Sequence, residues 1–162
     1  MREVVRHLSD LHAALTQLTD LAGEKLAAMR AADADALTRC AAREAELLQA
    51  VLKADEQRPA LLARLAQSLR RPHLQAAKLT EIADHLPEPA ASALRARGLA
   101  LREIAGQLQR KNRLAAVVAH NLQGHLRGIF AEVAKAAQES VVYGPAGRHY
   151  GTGPRCWVDA VG

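Results

Sequence analysis

From Val4 to Met29 the apolar residues fall at Val4, Leu8, Leu11, Leu15, Leu18, Ala22 and Met29. Steps of mostly four and three keep them on one stripe of an α-helix. "RAADADAL" follows, and Asp33 and Asp35 are the N-cap candidates there, since a short carboxylate can accept a free backbone N–H. A second run carries Leu37, Leu47, Leu48, Val51, Leu52, Leu61, Leu62, Leu65 and Leu69, with Pro59 inside it. Proline removes one rung of the hydrogen-bond ladder, so a kink is expected at Pro59 rather than an end. "RRPHL" (70–74) interrupts more firmly, a short helix over Leu74–His85 is expected next, and "LPEPA" (86–90) breaks the chain again. Pro89 suits the first turn of a new helix.

The last helix gives the strongest pattern. Leu94, Leu101, Leu108, Ala115, Leu122, Ile129 and Ala136 recur every seventh residue, and Gly98, Ala105, Asn112, Ala119, Leu126 and Val133 fill the positions four later. A helix of about 48 residues would be roughly 70 Å long at 1.5 Å per residue, and needs partners along its length. The first two helices can supply them as an antiparallel hairpin. Asn112 falls on the predicted seam, where a buried Asn fixes register at some cost in stability, so its expected role is structural. The expected fold is all-α: an elongated antiparallel helical bundle or coiled coil with one very long C-terminal helix. Its helices span about 3–30, 34–69, 74–85 and 89–140, and a Gly/Pro-rich tail covers 141–162.

Composition strengthens the helical reading. Ala and Leu together supply more than a third of the 162 residues, and they favour helices. The chain holds two Tyr, one Trp and one Phe. Three of these four aromatics, Tyr143, Tyr150 and Trp157, sit in the tail. Gly144 and Pro145 are expected to end the long helix, and the tail is too sparse in apolar residues to fold alone. For Tyr143, docking on another protein and capping the end of the bundle are both open. For Tyr150 and Trp157 the expectation is disorder or capping.

The net charge is +5 at pH 7, and the excess lies in the second half. A basic half can attract nucleic acid, acidic lipid or an acidic protein. No dense basic block exists beyond "RKNR" (110–113), so no nucleic-acid partner is expected. Cys40 and Cys156 form no ligand or redox pattern and read as free thiols of a reducing compartment. The charged N-terminus is not a signal peptide, and the longest charge-free stretch, between Arg113 and Arg127, is too short to span a bilayer. A cytoplasmic protein without stable membrane insertion is expected.

A helical bundle could house a di-iron centre, which needs inward Glu residues and Glu-x-x-His pairs. No Glu-x-x-His occurs in the chain. "GPAGRHYGTGPR" lacks the Gly-Lys-Ser/Thr ending of a phosphate loop. No nucleophile–base set is visible. The expectation is therefore no catalytic residue, no cofactor and no metal. The second half of the long helix is more suggestive. Leu122, Leu126, Ile129, Phe130 and Val133 give more apolar width than a two-helix seam needs. Uncovered, they form a groove for an amphipathic partner helix; covered by the first hairpin, they are ordinary core.

The order of these features resembles a known family. "ADADALTRCAAREAELLQAVLKADEQRPALLARL" (32–65) is similar to a segment of the flagellar export chaperones of the FlgN type. "KLTEIADHLPEPAASALRARGLALREIAGQLQRKNRLAAVVAHNL" (78–122) resembles the same family more closely, with "LQRKNRLA" where the family shows Leu-x-x-x-Asn-Arg-x-Leu. "VVYGPAGR" (141–148) resembles the family's Tyr-Gly-x-x-Gly close. The resemblance implies a small cytoplasmic chaperone of flagellar type III export. Its cargo would be the C-terminal helices of hook-associated proteins, held from premature association and presented at the export gate. It implies that Tyr143 docks on the cytoplasmic platform of that gate. Whether the free protein is a monomer or a homodimer stays open. Two departures stand out: the chain is basic, and an aromatic tail follows "YGPAG". A structural coiled-coil module outside export is the alternative, and a nucleic-acid-associated helical protein a weaker one.

Overall fold

A computed structural model describes residues 1–139 of the chain. Helix α1 spans Arg2–Ala31 and α2 spans Ala34–Ser68. A 3-10 turn (Pro72–Ala76) and the short α3 (Leu79–Ala83) follow, and then α4 (Ala90–Glu139). The described residues contain helices and turns and no strand. They fall into two units, residues 1–120 and the residues from Asn121 onward.

In the first unit α1 and α2 form the antiparallel hairpin. Ala32 takes a left-handed conformation (φ 53°), and the Asp33 N–H reaches back to the Ala28 carbonyl at 3.0 Å. Asp33 then starts α2, its carboxylate accepting the Ala36 N–H at 2.8 Å. One residue thus satisfies orphan backbone groups of both helices. Of the two aspartates in "DAD", Asp33 is the cap. Ion pairs Arg64–Glu3 and Lys25–Glu44 join the two ends of the hairpin and set its direction. Helix α2 continues across Pro59.

The end of α2 repeats the device of α1. Arg70 is left-handed (φ 53°), and the Arg71 N–H bonds the Ala66 carbonyl at 2.9 Å. The segment after it differs from expectation. In place of one helix over 74–85, a 3-10 turn and α3 are separated by extended backbone at Ala77 and Lys78. The Glu81 carboxylate accepts the Lys78 N–H at 3.2 Å, which starts a new helix there instead of prolonging the old one. Leu74 and Ile82 are both buried by this break, one from each piece.

Helix α4 begins under a polar clamp. The Glu88 carboxylate accepts the Ser92 N–H at 3.1 Å, and Arg95 binds both Glu88 and Asp84. Within the first unit α4 runs parallel to α1: Arg97 meets Ser9, and Lys111 meets Thr19. The order is therefore up-down-up. The core gathers Val4 and Leu8 of α1, Leu65 and Ala66 of α2, Leu74 of the 3-10 turn, Ile82 and Ala83 of α3, and Leu94 of α4. Ala83 and Leu94 have no exposed surface. Burying Ile82 or Leu94 contributes about 1.5–3 kcal/mol each.

Helix α1 buries more than its predicted stripe. Thr19, Leu21, Leu26 and Ala28 join Val4, Leu8, Leu18 and Ala22, because α1 packs against α2 on one side and α4 on the other. The α4 seam is also shifted. Leu94, Leu101, Leu108 and Ala115 face inward as predicted, but the companion row is Ile104, Lys111 and Val118. Ala105 and Asn112 are exposed. The register role assigned to Asn112 has no burial behind it here: Lys111, one residue earlier, reaches α1 instead.

Candidate partner-binding face

The second half of α4 is Ala- and Leu-rich, with Gly124 and Gly128 as its weakest helix formers. A Cβ at either glycine would meet nothing within 4 Å, so neither is required by a close neighbour. Leu122, Leu126, Ile129 and Val133 follow one another at steps of four, three and four. At 100° per residue they share one face, and Phe130 borders it. No charged residue falls on that stripe. His125 and Glu132 flank one side of it, Gln123 and Arg127 the other.

In the second unit every described side chain from Asn121 to Ala137 is exposed. Exposure of the five apolar residues runs from 40 % at Leu122 to 68 % at Phe130. Isolated exposed leucines are ordinary, but five large apolar groups in twelve residues on one stripe form a patch. Such a face is chemically suited to an amphipathic helix laid along it.

The other anticipated residues are placed differently. Tyr143, Gly144 and Pro145 lie outside the described residues, as do Tyr150, Cys156 and Trp157. Cys40 is a buried free thiol. Among the scattered histidines, His73 and His85 meet edge to face with ring centres 6.0 Å apart. Among the described residues, no group of three or more His, Cys, Asp or Glu is placed to hold a metal ion, and no helix is long and apolar enough to cross a membrane.

Two groups at the start of α4 titrate away from their ordinary values. Hydrogen bonding from Ser92, aided by the Arg95 charge, holds the Glu88 carboxyl below the usual carboxylate range. The hydrogen bond to Asp84, with the charges of Asp84 and Glu88, pushes the Arg95 guanidinium upward. This is an electrostatic clamp on the α4 N-terminus, remote in sequence from the apolar stripe.

The sequence pattern missed Lys111. Its ammonium donates to the Thr19 carbonyl at 2.8 Å, beside Gly23, where an added Cβ would stand 3.4 Å from that nitrogen. The small residue at 23 is the only hint the sequence offers.

The family model for the FlgN protein matches residues 1–151, nearly the whole chain. The chain belongs to the FlgN family. That family consists of flagellar export chaperones, so the role in flagellar assembly follows from membership. No curated protein and no solved structure matches the chain.

Proposed function

We propose that this chain binds the C-terminal helices of hook-associated flagellar proteins and delivers them to the type III export gate from the cytoplasm. Cargo lies along Leu122, Leu126, Ile129, Phe130 and Val133. The observation that supports this is the exposure of all five side chains on one charge-free stripe. A cargo helix covering the stripe gains about 25 cal/mol for each Å² of apolar surface removed from water. Its own apolar face is shielded from premature assembly while it is bound. Tyr143 is proposed to dock on the cytoplasmic platform of the gate, a role that rests on the Tyr-Gly-x-x-Gly resemblance alone. In the free protein the same stripe could pair with a second copy, which cargo would then displace.

The test is to mix the chain with the C-terminal helical segment of a hook-associated protein and measure complex mass by size exclusion with light scattering, at low and high salt. A discrete, salt-resistant complex is expected, because apolar contacts are little screened. No complex from a demonstrably folded chain would favour a coiled-coil module outside export.

A further inference from the structure

A second surface of different character lies wholly within the first unit. Two concavities, of about 200 and 390 Å³, meet at Lys78 and Leu79. The first is walled by Val4, Leu8, Leu62 and Leu101, with His7 and Arg58 among its lining groups. The second is walled by Leu79, Leu94, Gly98 and Leu99, with Arg95 and Arg102. The break in the chain at Ala77–Lys78 sets the position of Lys78 and Leu79 between them. Leu99 is 63 % exposed, so the second concavity opens onto an uncovered apolar side chain.

Among the described residues, the charged groups that line the two concavities are cationic: Arg58, Lys78, Arg95 and Arg102, together with His7, and no Asp or Glu. Arg58 is paired with Asp55, and Arg95 with Asp84 and Glu88. Lys78 and Arg102 have no ion-pair partner among the described residues. An apolar floor with unpaired cations at its rim complements an apolar group flanked by anions. Nucleic acid fits it poorly, since no Phe, Tyr or Trp lines the walls among the described residues and phosphate contacts would leave the leucines unused.

We propose that the groove at Lys78 and Leu79 docks an acidic peptide segment, one bulky apolar side chain seated against Leu79 and Leu99 and neighbouring carboxylates paired with Lys78 and Arg102. This surface shares no residue with the α4 stripe and offers a different chemistry, apolar contact beside cations, to a second, acidic partner. It also gives part of the chain's basic excess a specific use.

Gly98 provides the test. A Cβ there would stand 3.9 Å from Leu79 Cδ1, an ordinary contact. Gly98→Ala is therefore tolerated, while Gly98→Met fills the groove. A randomised displayed peptide library is selected against the whole chain, and enriched peptides are titrated by fluorescence anisotropy against the parent, both Gly98 variants and Lys78→Glu/Arg102→Glu. Enriched peptides should combine a bulky apolar residue with Asp or Glu. They should bind Gly98→Ala like the parent, and lose about ten-fold or more with Gly98→Met and with the charge reversal. Circular dichroism of each variant is taken alongside, and a variant that loses helicity is replaced by Leu99→Gln, which stays on the exposed wall. The proposal is overturned if no peptide is enriched, if enriched peptides are neutral or basic, or if folded Gly98→Met binds like the parent. It is equally overturned if the groove variants change only binding to anionic phosphatidylglycerol vesicles. None of these outcomes bears on cargo binding by α4.

Discussion

Lys111 Nζ donates a 2.8 Å hydrogen bond to the main-chain carbonyl of Thr19, tying the middle of α4 to the middle of α1. The lysine is half-buried, its stem packed in the seam and its charge held at the backbone of α1. Replacing it by Met keeps the stem and removes the bond. Lys111→Met is expected to lower stability by about 1.5–3 kcal/mol, the range for a hydrogen bond that involves a charged group. Gly23→Leu, placed under the same ammonium, should cost more than Gly23→Ala, which trades a 3.4 Å approach to a flexible chain end against better helix propensity. Urea unfolding followed by circular dichroism measures all three.

Two turns place non-glycine residues in the left-handed region, Ala32 and Arg70. A side chain there costs about 1–2 kcal/mol that glycine avoids, offset partly by the greater freedom of glycine in the unfolded chain. Ala32→Gly and Arg70→Gly should each raise stability, by up to about 1 kcal/mol. Asp33→Ala, which strips the cap from α2, should lower it by about 0.5–2 kcal/mol. Comparison of thermal midpoints checks the opposite signs at adjacent positions 32 and 33.

The clamp on α4 makes a pH prediction. Glu88 has a folded value below its ordinary 4.5, so the folded state binds this proton less readily than the unfolded state. The resulting stabilisation is full above the ordinary value and is lost as pH falls through the folded one. Glu88 is exposed and its contribution small. Glu88→Gln should flatten the loss of stability measured between pH 6 and the acid end of the carboxylate range, as about the part of the slope due to one group. An unchanged slope would show that the Ser92 and Arg95 contacts do not persist in solution.

Much of this fold could be read from spacing, and the misses share a cause. The α1 stripe and the inward row of α4 were legible because Leu recurs at three and four. The partner row of α4 lies one residue from the predicted one, with Lys111 rather than Asn112 in the seam. The long lysine stem allows this, burying its carbons while its ammonium finds a carbonyl. The segment 74–85, expected as one short helix, is two pieces. What splits it is a local contest: the Glu81 carboxylate takes the Lys78 N–H, which propensity does not reveal. The stripe from Leu122 to Val133 was visible in the sequence, but its exposure was not, because apolar spacing is the same for a core and for a docking face.

Core variants separate the scaffold from that face. Leu94→Ala removes a fully buried side chain and is expected to cost about 2–5 kcal/mol. Leu126→Ala, on a half-exposed position, should change stability by less than about 0.5 kcal/mol. Unfolding midpoints of the two, measured together, give the contrast.

The central claim is that the exposed α4 stripe is where cargo binds. Its most direct test is the double variant Ile129→Asp/Val133→Asp, titrated calorimetrically with the C-terminal helical segment of a hook-associated protein, with helicity recorded on the same sample. Two charges on the stripe should leave the circular dichroism unchanged and weaken binding by about a hundred-fold or more, the loss of a few kcal/mol typical of interface hot spots. Unaltered binding would contradict the assignment, and loss of helicity would return these side chains to the core.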